Sequence, residues 1–236
     1  MCGRFVSPDE AAIERSWHVG RATGRSLAPS YNISPGADIA ILRAAGRQIE
    51  IATARWGLVP PWWKTAAPPS SSFNARLEEA ADKPLWRHPL RYSRCLVPAS
   101  GWYEWQAIVR DDAKTGKPRP HKQPHYVHRK DGALLCLAGL MASRTTPEQD
   151  APVLSCAILT TAATGALAGL HDRMPVALED AAIGEWLDPK RTKAEDAITT
   201  IGKFLRTAGC THHPVGMAVN DARSQSPQLV ERWTEC

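Results

Sequence analysis

No apolar run in this 236-residue sequence approaches the roughly 20 residues needed to cross a bilayer, and the first twenty residues lack the apolar core of a secretory signal. A cytosolic protein with no membrane partner is therefore expected, associated with the nucleoid if the source is bacterial. The sequence has no Gly-rich phosphate loop, no HExxH and no GxSxG, which removes the commonest nucleotide, zinc-protease and serine-hydrolase readings. Cys2, Cys95, Cys136, Cys156, Cys210 and Cys236 form no CxxC pair, and His212 and His213 lack the spacing of zinc ligands. No metal and no cofactor is expected. Cys136 and Cys156 lie in apolar, strand-like runs and read as small core residues.

What is present is a modest excess of positive charge, formally +5, with tryptophan concentrated in one region. Trp56, Trp62, Trp63, Trp86, Trp102 and Trp105 fall between residues 51 and 110, interleaved with Arg55, Lys64, Arg76, Lys83, Arg87, Arg91, Arg94 and Arg110 but only four acidic residues. Interleaved rings and cations suit single-stranded nucleic acid, whose bases stack and whose phosphates need counter-charge.

Met1-Cys2-Gly3-Arg4-Phe5 places a cysteine where removal of the initiator methionine makes it N-terminal. An α-amino group titrates near ~8 and a lysine near ~10.4, so at neutral pH such a terminus offers roughly several hundred times more free amine than a lysine. The adjacent thiol adds a second nucleophile. A 1,2-aminothiol condenses with an aldehyde to a Schiff base and closes through sulfur to a thiazolidine. The alternative is that residue 2 simply opens a strand.

Ser7-Pro8-Asp9-Glu10 predicts a helix to about His18, with Ser7 as N-cap and Glu10 completing a capping box. Strands are predicted at Ile39 to Arg43, Ile49 to Trp56, Tyr92 to Val97, Trp102 to Val109, His125 to His128, Leu134 to Leu140 and Val153 to Thr160. Helical patterns cover Asn74 to Ala81, Leu178 to Leu187 and Thr192 to Leu205. The class is α+β, in a single domain over 1–236. Asp111 to Pro124, rich in Lys, Pro, Asp and Gly, reads as an exposed hairpin loop that could touch DNA.

Three polar positions stand out. Asn74, in Ser72-Phe73-Asn74-Ala75-Arg76, is either a helix N-cap or a functional amide. Glu104, in Gly101-Trp102-Tyr103-Glu104-Trp105, is either a solvent-facing strand residue or a carboxyl desolvated by aromatics and raised towards a pKa useful for proton transfer. His171, in His171-Asp172-Arg173-Met174-Pro175, is either a loop histidine or a proton carrier.

Together with Tyr31-Asn32 to Pro35-Gly36, Trp56-Gly57-Leu58-Val59-Pro60 followed by Trp62-Trp63, Glu78, and Leu137-Ala138-Gly139-Leu140, these segments resemble the SRAP (SOS-response-associated peptidase) family, over residues 1 to about 222. The resemblance implies a curved, barrel-like, largely antiparallel sheet flanked by short helices. It also implies covalent crosslinking to abasic sites in single-stranded DNA, the partner, by a monomer, with lyase-type and self-processing peptidase activity as adjuncts. Carried over residue by residue, Cys2 would be the nucleophile once Met1 is removed, Asn74 would hold the opened deoxyribose, Glu104 would act as general acid and base, and His171 would assist Schiff-base chemistry and reversal. Arg4, Arg76 and Arg173 would hold phosphates, and Trp62 and Trp63 would form an aromatic edge. Met141 and Gly216 depart from the family pattern, where tryptophan and serine are common, which puts a sheet-edge contact and a hydroxyl contact in doubt. A thiol peptidase of the N-terminal-nucleophile type and a non-covalent single-stranded DNA binder are the alternatives.

Overall fold

The computed structural model describes residues 2–21, 28–65, 68–111, 116–145, 152–205 and 209–234. In chain order the elements are β1 (Phe5–Ser7), α1 (Glu10–Trp17), β2 (Gly20–Arg21), β3 (Ser30–Ile33), β4 (Asp38–Ala45), β5 (Gln48–Trp56), β6 (Asn74–Arg76), α2 (Leu77–Ala80), α3 (Pro84–Tyr92), β7 (Arg94–Ala99), β8 (Gly101–Asp111), β9 (Pro118–Arg129), β10 (Leu135–Arg144), β11 (Val153–Ala162), β12 (Arg173–Pro175), β13 (Ala177–Leu178), α4 (Ile183–Leu187), α5 (Ala194–Phe204) and β14 (Cys210–Pro214).

The α+β expectation holds, and the sheet closes. Strands β5, β4, β7, β10 and β11 pair antiparallel in that order, and β11 returns to β5 through a parallel contact at Ser155–Arg55 and Cys156–Trp56. Closure removes two sheet edges. Alternate residues then serve two cores. Ala40, Leu42, Leu96, Ala138, Leu140 and Leu159 face outward onto Ile13 of α1, Trp86 and Leu90 of α3, Trp186 of α4 and Ile201 of α5. The other parity, including Ile39, Ile41, Trp56, Val97, Leu137 and Ile158, fills the inside together with Cys2, Phe5 and Trp102. A second sheet, ordered β14-β9-β8-β1-β3, supplies that plug.

The chain leaves β5 at Gly57, whose φ of 138° a side chain would strain, and comes back at Asn74 to continue along the same edge of β11, opposite Ile158. Buried Arg94 at the start of β7 donates to the carbonyls of Leu90, Arg91, Trp186 and Asp188, satisfying the carbonyl ends of α3 and α4.

Several expected boundaries are corrected. Ser7 is not an N-cap: it pairs with Ser30 in β1, and Asp9 caps α1 by accepting from the Ala12 amide at 2.6 Å. The helix expected from Asn74 starts only at Leu77, because residues 74–76 are claimed by β11. Tyr92 closes α3, a helix with no counterpart among the expected elements, and the strand begins at Arg94. Leu178 belongs to β13, leaving only Ile183–Leu187 as α-helix, and α5 runs from Ala194 to Phe204 within the expected Thr192 to Leu205.

The loop expected at 111–124 is mostly strand. The β8–β9 ladder continues out to Asp111–Pro118, and residues 112–115 lie outside the described set. Prolines survive there because they share one parity. The carbonyl of Pro124 accepts from Val215, so this parity turns its backbone groups away from β8, and Pro118, Pro120 and Pro124 remove no bond from that ladder.

Candidate active site

Cys2 is fully buried beside Phe5 and Trp102, and its backbone carbonyl accepts from Asn74 Nδ2 at 2.7 Å. Asn74 is therefore no helix cap. Strand β6 aims its amide at the chain's second residue. Its Oδ1 is buried without a hydrogen-bond partner, an acceptor left open at a cost that a bound hydroxyl would offset.

Glu104 lies on β8, only 3% exposed, so it is not a solvent-facing residue. Burial pushes its carboxyl up to about 7, with the Asp172 carboxylate adding to the rise. His125 stands opposite on β9, and burial, followed by the neighbouring His212, pushes it down to about 4. It stays neutral at neutral pH and supplies no counter-charge to Glu104. Burial also drives the Cys2 thiol well above its ordinary value, with Glu104 adding to the effect. The thiol is thus a poor first nucleophile in this setting.

His171 sits on the turn before β12, with its amide bonded to the Leu167 carbonyl at 3.1 Å. Gln106, two residues beyond Glu104, ties the same turn to β8 by donating to the Gly169 carbonyl at 3.1 Å. His171 Nε2 lies 4.0 Å from Glu104 Oε2. Its Nδ1 lies 2.6 Å from Asp172 Oδ1 and accepts the Arg173 amide at 3.0 Å. Burial lowers the pKa of the ring below the ordinary histidine value.

The structure thus gathers Cys2, Asn74, Glu104 and His171. The other expected residues are placed differently. Arg173 gives both Nη atoms to Glu78 at 2.9 Å and also donates to the Thr160 carbonyl at 2.7 Å, and this pairing holds the Glu78 carboxyl below its ordinary range. Arg4 donates to Asn32 Oδ1 and to the Val219 carbonyl, both at 2.8 Å, which anchors the segment after β14. Arg76 is exposed, 3.6 Å from Glu79. Trp62 is 58% exposed and meets the half-buried Trp63 edge-on at 6.0 Å. It lines a groove of about 800 Å³ with Leu85, Arg87, His88 and Met141, whose walls include none of the four gathered residues. Asp172 was visible in its motif without an assigned task, and its placement against the ring is what the sequence alone did not reveal.

Residues 1–222 match the family model described as SOS response associated peptidase (SRAP). The chain belongs to the SRAP family. Abasic site processing protein YoqW of Bacillus subtilis is 34% identical over 233 residues, which is 98% of this chain and 99% of that protein. Abasic site processing protein YedK of Escherichia coli is 29% identical, covering 85% of this chain and 83% of that protein. Abasic site processing protein HMCES of Xenopus tropicalis is 29% identical, covering 98% and 78%. A solved structure from Bacteroides thetaiotaomicron superposes with a TM-score of 0.77 over 99% of this SRAP chain and 100% of that one, at 21% identity, and shares the fold. A phage-related protein from Bordetella bronchiseptica is 33% identical with a TM-score of 0.64, over 91% and 94%.

Proposed function

We propose that this SRAP chain processes abasic sites in DNA, and that it does so by covalent crosslinking through Cys2 after Met1 is removed. The observation that carries the reading is the meeting of Asn74 with the Cys2 carbonyl beside a buried, proton-carrying Glu104 and His171. The names of the relatives, abasic site processing proteins, support the substrate class.

An abasic deoxyribose is mostly a closed hemiacetal, so exposing its aldehyde needs a proton donor and acceptor. Glu104, poised near neutrality, serves both directions. Asn74 Oδ1 accepts a hydroxyl of the opened sugar and holds the aldehyde carbon against the terminal amine. The amine adds to the carbonyl carbon, the carbinolamine loses water with a proton from Glu104 or His171, and an imine forms. The Cys2 sulfur then adds to the imine carbon while its proton passes to nitrogen, closing a thiazolidine. The net change is aldehyde plus aminothiol to thiazolidine plus one water. Removing the imine protects the strand from β-elimination.

The raised Cys2 thiol weighs against a thiol peptidase, which needs a thiolate first, and agrees with an amine-first order. In this reading single-stranded DNA runs past exposed Arg76 and Trp62, and Arg173 reaches a phosphate only by exchanging its Glu78 partner. Arg4 and Trp63 support the same path from half-buried positions. The test is to mix the expressed protein with a single-stranded oligonucleotide carrying one abasic site. A heat-stable adduct, absent with undamaged DNA, supports the reading. Peptide turnover without any adduct would replace it.

A further inference from the structure

His171 Nδ1 touches two groups with opposite demands. The Arg173 amide, at 3.0 Å, is a donor and needs a bare nitrogen; the Asp172 carboxylate oxygen, at 2.6 Å, is an acceptor and needs an N–H. One ring nitrogen cannot satisfy both at once. With the proton on Nδ1 and directed to Asp172, Nε2 presents its lone pair towards Glu104 and can take a proton. With Nδ1 accepting from Arg173, Nε2 carries the hydrogen and can give one. We infer that Asp172 is a positioning residue which, against the Arg173 amide, sets the tautomer of His171, so that the same imidazole serves as base in one direction of the reaction and as acid in the other.

The device resembles other sites where a third group orients a catalytic histidine. It differs in that Asp172 is 84% exposed, so its hold is weak enough to be exchanged for the amide. Both alternatives come from the two residues that follow His171 in sequence. The turn that carries them is fixed at its other points, by Ala163 donating to the Asp172 carbonyl at 2.9 Å and by Gln106 donating to the Gly169 carbonyl. The ring can therefore change partner at Nδ1 without moving Nε2 from Glu104.

The charged and titratable groups that act on the ring are Glu104 from β8, Lys122 from β9, Asp172 and the positive amino terminus; neutral His125 of β9 stands opposite Glu104, and the Arg173 guanidinium is turned to Glu78. Lys122 and the terminus oppose a charged imidazole, whereas Asp172 favours one. Asp172 also favours the protonated form of Glu104. Removing this one carboxylate therefore lowers the proton affinity of both groups in the same direction.

The inference rests on the crosslinking reading for its kinetic consequence but not for its structural one, so two measurements separate them. Nitrogen-15 spectra of the imidazole in the full-length, DNA-free protein, taken where His171 is neutral, report the tautomer directly. Wild type should populate both the Nδ1–H and the Nε2–H forms, Asp172→Ala should hold the ring in the Nε2–H form that accepts the Arg173 amide, and Asp172→Glu should restore the mixture. Adduct formation with the abasic oligonucleotide, followed from about pH 5 to 9, should move its acid limb to lower pH in Asp172→Ala. Its plateau should drop about two- to fivefold, the loss expected for an exposed charge contact. An unchanged tautomer, or an unchanged profile in a wild-type protein that does crosslink, overturns the assignment. A wild-type protein that forms no adduct sinks the crosslinking reading, while the spectra still decide the role of Asp172.

Discussion

Asn74 donates its side-chain amide to the backbone carbonyl of Cys2 at 2.7 Å, joining residues 72 positions apart in the chain. That bond fixes the direction in which the chain enters the barrel, and with it the position of the amine that Met1 removal would expose.

Replacing Asn74 by Ala removes both the donor to Cys2 and the open acceptor Oδ1. Stability should fall by only ~1 kcal/mol, the worth of one buried hydrogen bond. The rate of adduct formation should fall about 10- to 100-fold, because positioning and not folding is lost. Thermal melts beside single-turnover rates separate the two effects, and a rate that follows stability would refute the positioning role.

Glu104→Gln tests the raised carboxyl. A carboxyl raised to about 7 from an ordinary 4.5 contributes stability that is fully present below pH 4.5 and lost as pH climbs through 7, because the buried charged form is penalised. Wild type should therefore lose stability relative to Glu104→Gln between those values, by on the order of 3 kcal/mol in total. Denaturant midpoints at pH 5 and pH 8 measure it. The same substitution should remove the rate limb near pH 7. A constant stability difference across that range would contradict the raised pKa.

Gly101, three residues before Glu104, lies in β8 opposite His128 of β9, with no room for a side chain. A Cβ there would collide with the Val127 carbonyl and lie 2.6 Å from the Tyr126 ring. Gly101→Ala should cost ~3 kcal/mol. For a chain of this size the melting temperature should then fall by roughly 6–12 °C. An unchanged melting temperature would contradict the close approach.

How much was legible in the sequence depended on the range of the interaction. The strands of the barrel carried local alternation, so β4, β5 and β11 could be anticipated near their true bounds. Ser7 and Asn74 had local signals for a helix start, and long-range pairing with β3 and β11 overruled both. The ribbon at Pro118–Pro124 was hidden because its prolines are harmless only at one parity of one ladder, which composition does not encode. Helix α3 was missed because Pro89 lies within it, and a proline inside a helix reads as a break. Cys2, Asn74, Glu104 and His171 stood out by their settings in the sequence, and their separate roles came from resemblance to a family. Their convergence, and the engagement of Arg173 by Glu78, required the fold.

Trp62 offers a test of the DNA path that leaves the chemistry alone. It is exposed and lines no part of the buried site. Trp62→Ala should weaken single-stranded DNA binding by ~1–3 kcal/mol per stacked base. The salt dependence should stay unchanged, since no cation is lost. Fluorescence anisotropy at several salt concentrations reads both, and undiminished affinity would remove Trp62 from the interface.

The central claim is that the terminal aminothiol of Cys2 is the crosslinking group. The most direct measurement is the mass of the N-terminal peptide recovered from protein incubated with abasic single-stranded DNA and digested to the nucleotide. The account predicts a peptide that begins at Cys2, lacks Met1, and carries the deoxyribose residue with the loss of one water. Cys2→Ser should retain a borohydride-trappable imine, whereas Cys2→Ala should form no thiazolidine. An adduct mapped to any other residue, or one that forms in Cys2→Ala at the wild-type rate and with wild-type heat stability, would contradict the account.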